Sequence, residues 1–167
     1  MHLCAVDFTV RQFIAPVASA LQDAGYDVRC ACTPGPHWEE LADMNIRMVA
    51  MPVARSANPI RAIRSGWRLY KWLRREEPDV LHCHTPVASM IGRLTGWLAR
   101  VPLIIYTAHG FYFHDRMPWK KRLVHVALER FFSRFQDVLF CVSKEDAENA
   151  GKWKLFPRER IHYIANG

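Results

Sequence analysis

Short apolar runs alternate along the chain with segments whose apolar residues recur every three or four positions. Runs of the first kind predict β-strands at 3–6, 26–32, 46–51, 138–142 and 161–164, and at two segments that begin near Val80 and Leu103. Segments of the second kind predict helices near 13–21, 38–44, 58–75, 85–99 and 118–135, and one after Ser143. Strands and helices that alternate through short connections indicate an α/β fold, with a parallel sheet covered by helices on both faces. The length fits one domain over residues 1–167.

Several helix boundaries carry local signals. Asn58 and Thr85 each precede a proline, which predicts an N-cap residue followed by proline at the first helical position. Ser143 with Asp146 three residues later resembles a capping box. Gly25 stands where the end of the first helix favours a left-handed residue.

Two histidine-rich loops follow neighbouring apolar runs between Pro78 and His114. The first loop contains His82-Cys83-His84-Thr85, and the second contains His109-Gly110-Phe111. In a strand-helix-strand unit both loops leave the same edge of the sheet, where open α/β proteins bind their ligands. The functional site is therefore predicted at this edge.

Metal binding is the first chemistry that these loops suggest, because potential ligands cluster there: His82, Cys83, His84, His109 and His114. Metal-dependent hydrolases add carboxylates, but Asp79 and Asp115 are the nearby acids, and neither a His-x-x-x-His nor a Cys-x-x-Cys pair occurs. We expect no bound metal, and a metal-dependent hydrolase stays the weaker alternative.

Two other kinds of enzyme site lack their sequence signatures. The turn at 7–13 after the first strand contains no glycine, whereas a dinucleotide-binding turn needs several. No Gly-x-Ser-x-Gly motif occurs, and Cys83 has no obvious orienting acid. We expect no cofactor, and we interpret Cys83 as a small residue at the end of a strand.

Composition narrows the partners and the compartment. The formal net charge of +7 suits nucleic acid, phosphorylated substrates or anionic lipids, but the basic residues are spread over several helices and no nucleic-acid partner is expected. Five cysteines without a disulfide framework indicate free thiols and a cytoplasmic protein. Arg93 and Arg100 interrupt the best candidate for a membrane span, and the N-terminus lacks the features of a signal peptide.

Two segments combine aromatic and basic residues in a manner typical of membrane interfaces. For the helix at 58–75 we favour an ordinary crossover helix with a solvated outer face and interior aromatic residues. For the second loop and the helix start after it we favour contact with an anionic membrane, through Phe111, Tyr112, Phe113, Trp119, Lys120, Lys121 and Arg122.

Four segments in register resemble one known family. They are Pro78-Asp79-Val80-Leu81-His82-Cys83-His84-Thr85-Pro86, Tyr106-Thr107-Ala108-His109-Gly110-Phe111, Cys141-Val142-Ser143 and Ile164-Ala165-Asn166-Gly167. Together they resemble the N-terminal half of glycosyltransferase family 4, the retaining enzymes of the GT-B fold. The resemblance implies a Rossmann-like sheet that holds the acceptor, with a separate C-terminal domain that binds most of the nucleotide-sugar donor.

The resemblance also implies roles for individual residues. His109 would be the catalytic residue at the centre of sugar transfer. Residues that border the substrates would be Phe8, Thr9, His84, Thr85, Gly110, Phe111, Ser143, Asn166 and Gly167. The acceptor would be a polysaccharide or a lipid-linked saccharide, and catalysis would need no metal.

The chain departs from the family pattern in two places. Its first loop lacks the glycines of many members, and the chain stops inside the Asn-Gly-x-Asp motif, before the donor-binding domain. A nucleoside diphosphate leaving group needs cations from that domain, so residues 1–167 alone are expected to be inert. The alternative is a non-catalytic domain that binds a membrane or a partner.

Overall fold

Seven parallel strands form one sheet in the computed structural model, which describes residues 1–53, 58–113 and 117–165. The strands are β1 (His2–Val6), β2 (Arg29–Thr33), β3 (Arg47–Ala50), β4 (Val80–His84), β5 (Leu103–Ala108), β6 (Val138–Cys141) and β7 (Ile161–Tyr163). Their order across the sheet is β3-β2-β1-β4-β5-β6-β7. The order reverses between β1 and β4, and the carboxyl ends of these two strands therefore flank the topological switch point.

Helices occupy the connections, as the sequence predicts. They are α1 (Asp7–Thr9), α2 (Ala15–Asp23), α3 (Trp38–Asp43), α4 (Pro59–Glu76), α5 (Pro86–Ala99), α6 (Trp119–Phe132) and α7 (Lys144–Lys152). A π-helical turn at Val10–Ile14 joins α1 to α2, and a 3-10 turn at Ser133–Phe135 ends α6. The helical path thus begins directly at the end of β1, earlier than the sequence pattern predicts, and β2 begins at Arg29 rather than at Tyr26.

The helices cover both faces of the sheet, which confirms the predicted α/β class. Leu3 packs with Leu69 of α4 and Ala88 of α5 on one face. Cys4 packs with Ala18 of α2 and Leu41 of α3 on the other, because neighbouring strand residues point to opposite faces. All five cysteines are buried and free.

The four predicted helix boundaries are confirmed in position. The side chain of Asn58 accepts a hydrogen bond from the Arg61 amide at 3.1 Å, and Ser143 accepts one from the Asp146 amide at 3.0 Å. Gly25 has a φ of +90°. Thr85 also occupies the N-cap position of α5, with Pro86 at the first helical position, but its side chain makes no capping hydrogen bond and its backbone lies at φ 62° and ψ 142°.

A buried arginine joins α5 to α6 and β5. Arg93 is 1% exposed, and its guanidinium donates to Glu129 Oε2 at 3.0 Å and to Gln136 Oε1 at 2.8 Å. The same group lies 4.3 Å from the centre of the Tyr106 ring. Since Tyr106 belongs to β5, this network helps to fix the strand that leads to His109.

Candidate functional site

The candidate site lies at the carboxyl ends of β1, β4 and β5. Four histidines form a connected cluster that runs from His2, the first residue of β1, along β4 to His109 at the end of β5. His2 Nδ1 lies 3.1 Å from His84 Nε2, and His84 Nδ1 lies 3.2 Å from His109 Nε2. His82 stacks beside them and its Nε2 lies 2.6 Å from Thr107 Oγ1. The cluster exists because His82 and His84 point to the same side of β4, while β1 pairs with β4 so that His2 lies opposite His82.

Burial keeps these imidazoles neutral. Desolvation lowers the pKa of His2 to about 4 and holds the pKa values of His82 and His84 well below 6.5, with repulsion from neighbouring histidines as a smaller cause. The pKa of the half-buried His109 is also lowered by desolvation. Each ring therefore carries one proton at neutral pH. In the hydrogen bonds that link His2, His84 and His109, either nitrogen of each pair can be the donor, depending on the tautomers.

Two buried polar atoms at this edge have no hydrogen-bond partner among the described residues. They are His109 Nδ1 and Thr85 Oγ1. A buried polar atom without a partner is costly, and such atoms at a sheet edge suit a polar ligand that supplies the missing hydrogen bonds. The Phe13 ring lies 5.0 Å from the His109 ring and covers part of it.

The backbone at Thr85 adds strain to the same place. A φ of 62° lies in the left-handed region, which a β-branched residue rarely adopts. Such strain is typical of positions that the surrounding fold holds for function. The sequence identifies Thr85 as a candidate and as the N-cap residue of α5, but it does not reveal this backbone conformation or the absence of a capping hydrogen bond from the side chain.

A buried carboxylate at the start of α1 ties the end of β1 to the segment before α3. Asp7 Oδ1 accepts a hydrogen bond from the Phe8 amide at 2.9 Å, and Asp7 Oδ2 accepts one from the His37 amide at 2.7 Å. Phe8 is exposed at the rim, 6.0 Å from the His37 ring, whereas Thr9 is buried. Asp7 is a residue that sequence reasoning missed, although an acid directly after the first strand is the signal that could have found it.

The loop after β5 is tied to the start of α7. Gly110 has a φ of +102°, and the Phe111 amide donates to Asp146 Oδ1 at 3.2 Å. Ser143 donates its hydroxyl to Asp146 Oδ2 at 2.7 Å while it caps α7. Ser143 and Asp146 therefore hold Phe111 beside His109. Asn166 and Gly167 lie outside the described residues, as does His114.

The predicted membrane segment is only partly exposed. Tyr112 and Trp119 are 64% and 65% exposed, and Lys120 and Lys121 are exposed as well. Phe113 is 4% exposed and Phe111 is half-buried against it, with ring centres 5.1 Å apart. The assignment of Phe113 to a membrane contact is therefore wrong, because its ring belongs to the core under α6.

Among the described residues, the side chains that could hold a metal ion are His2, His82 and His84. One possible ligand atom from each lies within 4.8 Å of the others. Cys83 is not part of this group, because it points to the opposite face of the sheet, where burial raises the pKa of its thiol to about 12. Within this group His2 Nδ1 shares a hydrogen bond with His84 Nε2, and His82 Nε2 shares one with Thr107 Oγ1.

Acid is expected to destabilise the chain through this cluster. In the unfolded chain these histidines titrate near 6.5, whereas His2 titrates at about 4 when folded. Between pH 6.5 and about pH 4 the unfolded state binds more protons than the folded state. The free energy of unfolding should therefore fall as the pH is lowered through this range. Above pH 6.5 the histidines are neutral in both states, and the cluster adds no pH dependence. Urea unfolding midpoints measured between pH 4 and pH 6.5 test the effect.

A His162→Ala variant removes an exposed histidine outside the cluster and should keep the wild-type dependence of the urea midpoint on pH. A wild-type urea midpoint that does not change with pH would contradict the prediction.

Known proteins share both sequence and fold with this chain. A family model described as "Glycosyl transferase 4-like domain" matches residues 9–167. The UDP-Gal:alpha-D-GlcNAc-diphosphoundecaprenol alpha-1,3-galactosyltransferase of Escherichia coli is 29% identical over 148 residues, which cover 88% of this chain and 38% of that protein. The chain thus spans well under half the length of this curated relative.

Solved structures match over almost the whole chain at low identity. Anabaena Alr3699/HepE, solved in complex with UDP and glucose, gives a TM-score of 0.72 at 14% identity and covers 100% of this chain and 44% of its own. The UDP-GlcNAc 2-epimerase of Neisseria meningitidis gives a TM-score of 0.69 at 14% identity. This match covers 99% of this chain and 46% of that protein. These likenesses confirm the Rossmann-like N-terminal half of a GT-B fold.

The fold alone does not separate a transferase from an epimerase, since a glycosyltransferase from Rickettsia africae ESF-5 also matches it, with a TM-score of 0.71 at 16% identity over 99% of this chain and 43% of that chain. The family match makes the finer distinction. Because that match extends over nearly all of the sequence, the chain belongs to the glycosyl transferase 4-like family.

Proposed function

We propose that this chain is the acceptor-binding part of a retaining glycosyltransferase, which moves a sugar from a nucleotide-sugar donor to a saccharide or lipid-linked saccharide. The observation that carries the proposal is a pair of buried atoms without a partner among the described residues, His109 Nδ1 and Thr85 Oγ1, which follow β5 and β4 at the carboxyl edge of the sheet. The family match supports the reaction class, and the name of the Escherichia coli relative supports a lipid-linked acceptor.

A neutral histidine is suited to one part of this reaction. His109 Nδ1 can donate a hydrogen bond to a sugar hydroxyl or accept one from it. The hydrogen bond between His109 Nε2 and His84 orients the ring. It cannot neutralise a departing diphosphate, because burial lowers its pKa and favours the uncharged form. The cations for that step must come from elsewhere. We therefore propose that a C-terminal donor-binding domain completes the site and that residues 1–167 alone do not transfer sugar.

Among the described residues, the carboxylates beside the site are engaged by neighbouring donors, unlike the acid and nucleophile pair of a retaining hydrolase. Asp7 accepts hydrogen bonds from two backbone amides, and Asp146 from a backbone amide and the Ser143 hydroxyl. Both serve to position loops, which favours a transferase over a hydrolase.

We place the protein in the cytoplasm, at the inner face of the membrane that would carry a lipid-linked acceptor. The part of the predicted membrane segment that remains exposed supports contact with anionic lipid: Tyr112, Trp119, Lys120 and Lys121. The described helices include none that is long and apolar enough to span a bilayer.

Nucleoside diphosphate release tests the proposal. A protein that joins these residues to the donor-binding domain should release UDP from a UDP-sugar, and this release should require a lipid-linked saccharide acceptor. Residues 1–167 alone should release none. Conversion of UDP-GlcNAc to its C2 epimer without transfer would favour an epimerase, and absence of both reactions would favour a non-catalytic binding domain.

A further inference from the structure

Helix α4 presents a stripe of large apolar side chains to solvent. Ile60, Ile63 and Trp67 are 65%, 71% and 58% exposed, although they follow one another at the spacing of a buried helix face. The buried face of α4 is formed by other residues, namely Ser65, Leu69 and Leu73. The expected interior position of the α4 aromatic residues is therefore wrong for Trp67.

The stripe borders an open apolar groove of about 740 Å³. Phe132 at the end of α6 lines one part of the groove. Its other side is formed by residues of α5, namely Val87, Met90, Ile91, Leu94, Thr95 and Leu98. The hydroxyl groups along the groove belong to Tyr70 and Thr95, and Thr95 Oγ1 donates to the Ile91 carbonyl within α5. The other side chains that line the groove are apolar, so the groove suits hydrocarbon better than sugar.

A row of basic residues follows the stripe along the same exposed side of α4. Its members are Arg61, Arg64, Arg68, Lys71 and Arg75. The first acidic residue of the helix is Glu76, at its last position, where it binds Arg29 and Arg75. Arg61, Arg64 and Arg68 make no salt bridge with any residue in the described ranges. Lys71 Nζ lies 5.2 Å from the centre of the Trp67 ring, where the two stripes meet.

An anionic bilayer matches both stripes at once. Apolar side chains enter the boundary between headgroups and acyl chains, while adjacent arginines contact lipid phosphates. Nucleic acid would leave the apolar groove uncovered. In a second copy of the chain, a two-fold contact through this face would bring the two rows of uncompensated cations together, which charge repulsion disfavours.

We propose that α4 and the α4–α5 groove form the main membrane-docking surface of this protein, with anionic phospholipid as the partner. The inference deepens the proposed function, since α4, α5 and α6 all begin at the sheet edge that holds His109. Docking through this surface places the substrate-binding loops beside the bilayer, where the sugar of a lipid-linked acceptor is presented.

Vesicle co-sedimentation of the chain tests the inference without any turnover. We expect binding to vesicles of phosphatidylglycerol with phosphatidylcholine, and little binding to phosphatidylcholine alone. The double variant Ile63→Glu, Trp67→Glu should bind about 100-fold more weakly, because each apolar side chain contributes about tenfold when buried. The triple variant Arg61→Gln, Arg64→Gln, Arg68→Gln should lose about 100-fold, at about fivefold per basic residue.

Matched controls lie elsewhere on the chain. Tyr26→Glu, Met44→Glu replaces two other exposed apolar residues, and Lys152→Gln, Arg158→Gln, Arg160→Gln removes three other exposed cations. Both controls should retain wild-type binding, and circular dichroism should show that every variant is folded. Absence of vesicle binding, or equal losses in the α4 variants and the controls, overturns the inference. So does a dimer in sedimentation velocity that the Ile63→Glu, Trp67→Glu variant dissociates, since α4 would then be a self-association surface.

Discussion

His109→Ala is expected to lower the rate of sugar transfer by about 100-fold or more in a protein that carries both halves of the enzyme. The expectation follows from the buried Nδ1 atom without a partner, which can bind a substrate hydroxyl as it moves towards the transition state. Loss of one well-placed donor or acceptor from a water-excluded site costs about 100- to 1,000-fold in kcat. Steady-state assays of nucleoside diphosphate release measure the change.

The fold should tolerate this substitution. His109 is only half-buried and contacts Phe13 and His84, so the thermal midpoint should shift little compared with the loss of rate. His162→Ala provides a matched control, because this exposed histidine lies on β7, away from the cluster. Wild-type turnover by the His109→Ala variant would remove this residue from the site.

Glu129→Gln is expected to reduce the free energy of unfolding by about 3–5 kcal/mol, because it leaves the Arg93 guanidinium charged and buried without its counter-ion. This loss approaches the whole stability of a marginal domain. Urea denaturation monitored by circular dichroism measures it. Gln136 and the Tyr106 ring would still contact Arg93, but neither carries a negative charge.

A double variant distinguishes a charge effect from a packing effect. Arg93→Met combined with Glu129→Leu should recover much of the stability lost in Glu129→Gln, because both charges are then removed from the interior. Glu40→Gln, which breaks the exposed pair with Arg11, should change stability little. If Glu129→Gln unfolds at the wild-type urea concentration, the buried pair does not stabilise the chain.

The sequence predicts well those features that depend on neighbouring residues. Asn58, Ser143 and Gly25 mark helix boundaries because a cap is formed by side-chain and backbone atoms within one turn. The position of the site at the carboxyl edge follows from strand order, and the histidine-rich loops are visible without a structure. The backbone of Thr85 is different, because its strained conformation is imposed by the turn from β4 into α5.

Contacts between distant segments escape sequence reasoning. His2 joins the cluster through the register of β1 against β4, which no local pattern reveals. Burial of Phe113 and exposure of Trp67 depend on which helix faces find a partner. Arg93 looks like an interruption of an apolar stretch, yet its counter-ion Glu129 stands on the next helix. Burial and pairing at such positions are properties of the assembled fold.

The pairing of β1 with β4 has a consequence for folding kinetics. It joins His2 to His84 across 82 residues of chain, and the β1–β2–β3 segment must be placed beside the β4–β7 segment before this pairing can close. Pairings between parts so distant in sequence form slowly, because the entropy of the intervening chain is lost before the contact is gained. The histidine cluster should therefore be among the last features to assemble. Until it does, β1 and β4 are unpaired strand edges, and the nascent chain is most prone to aggregation at this stage.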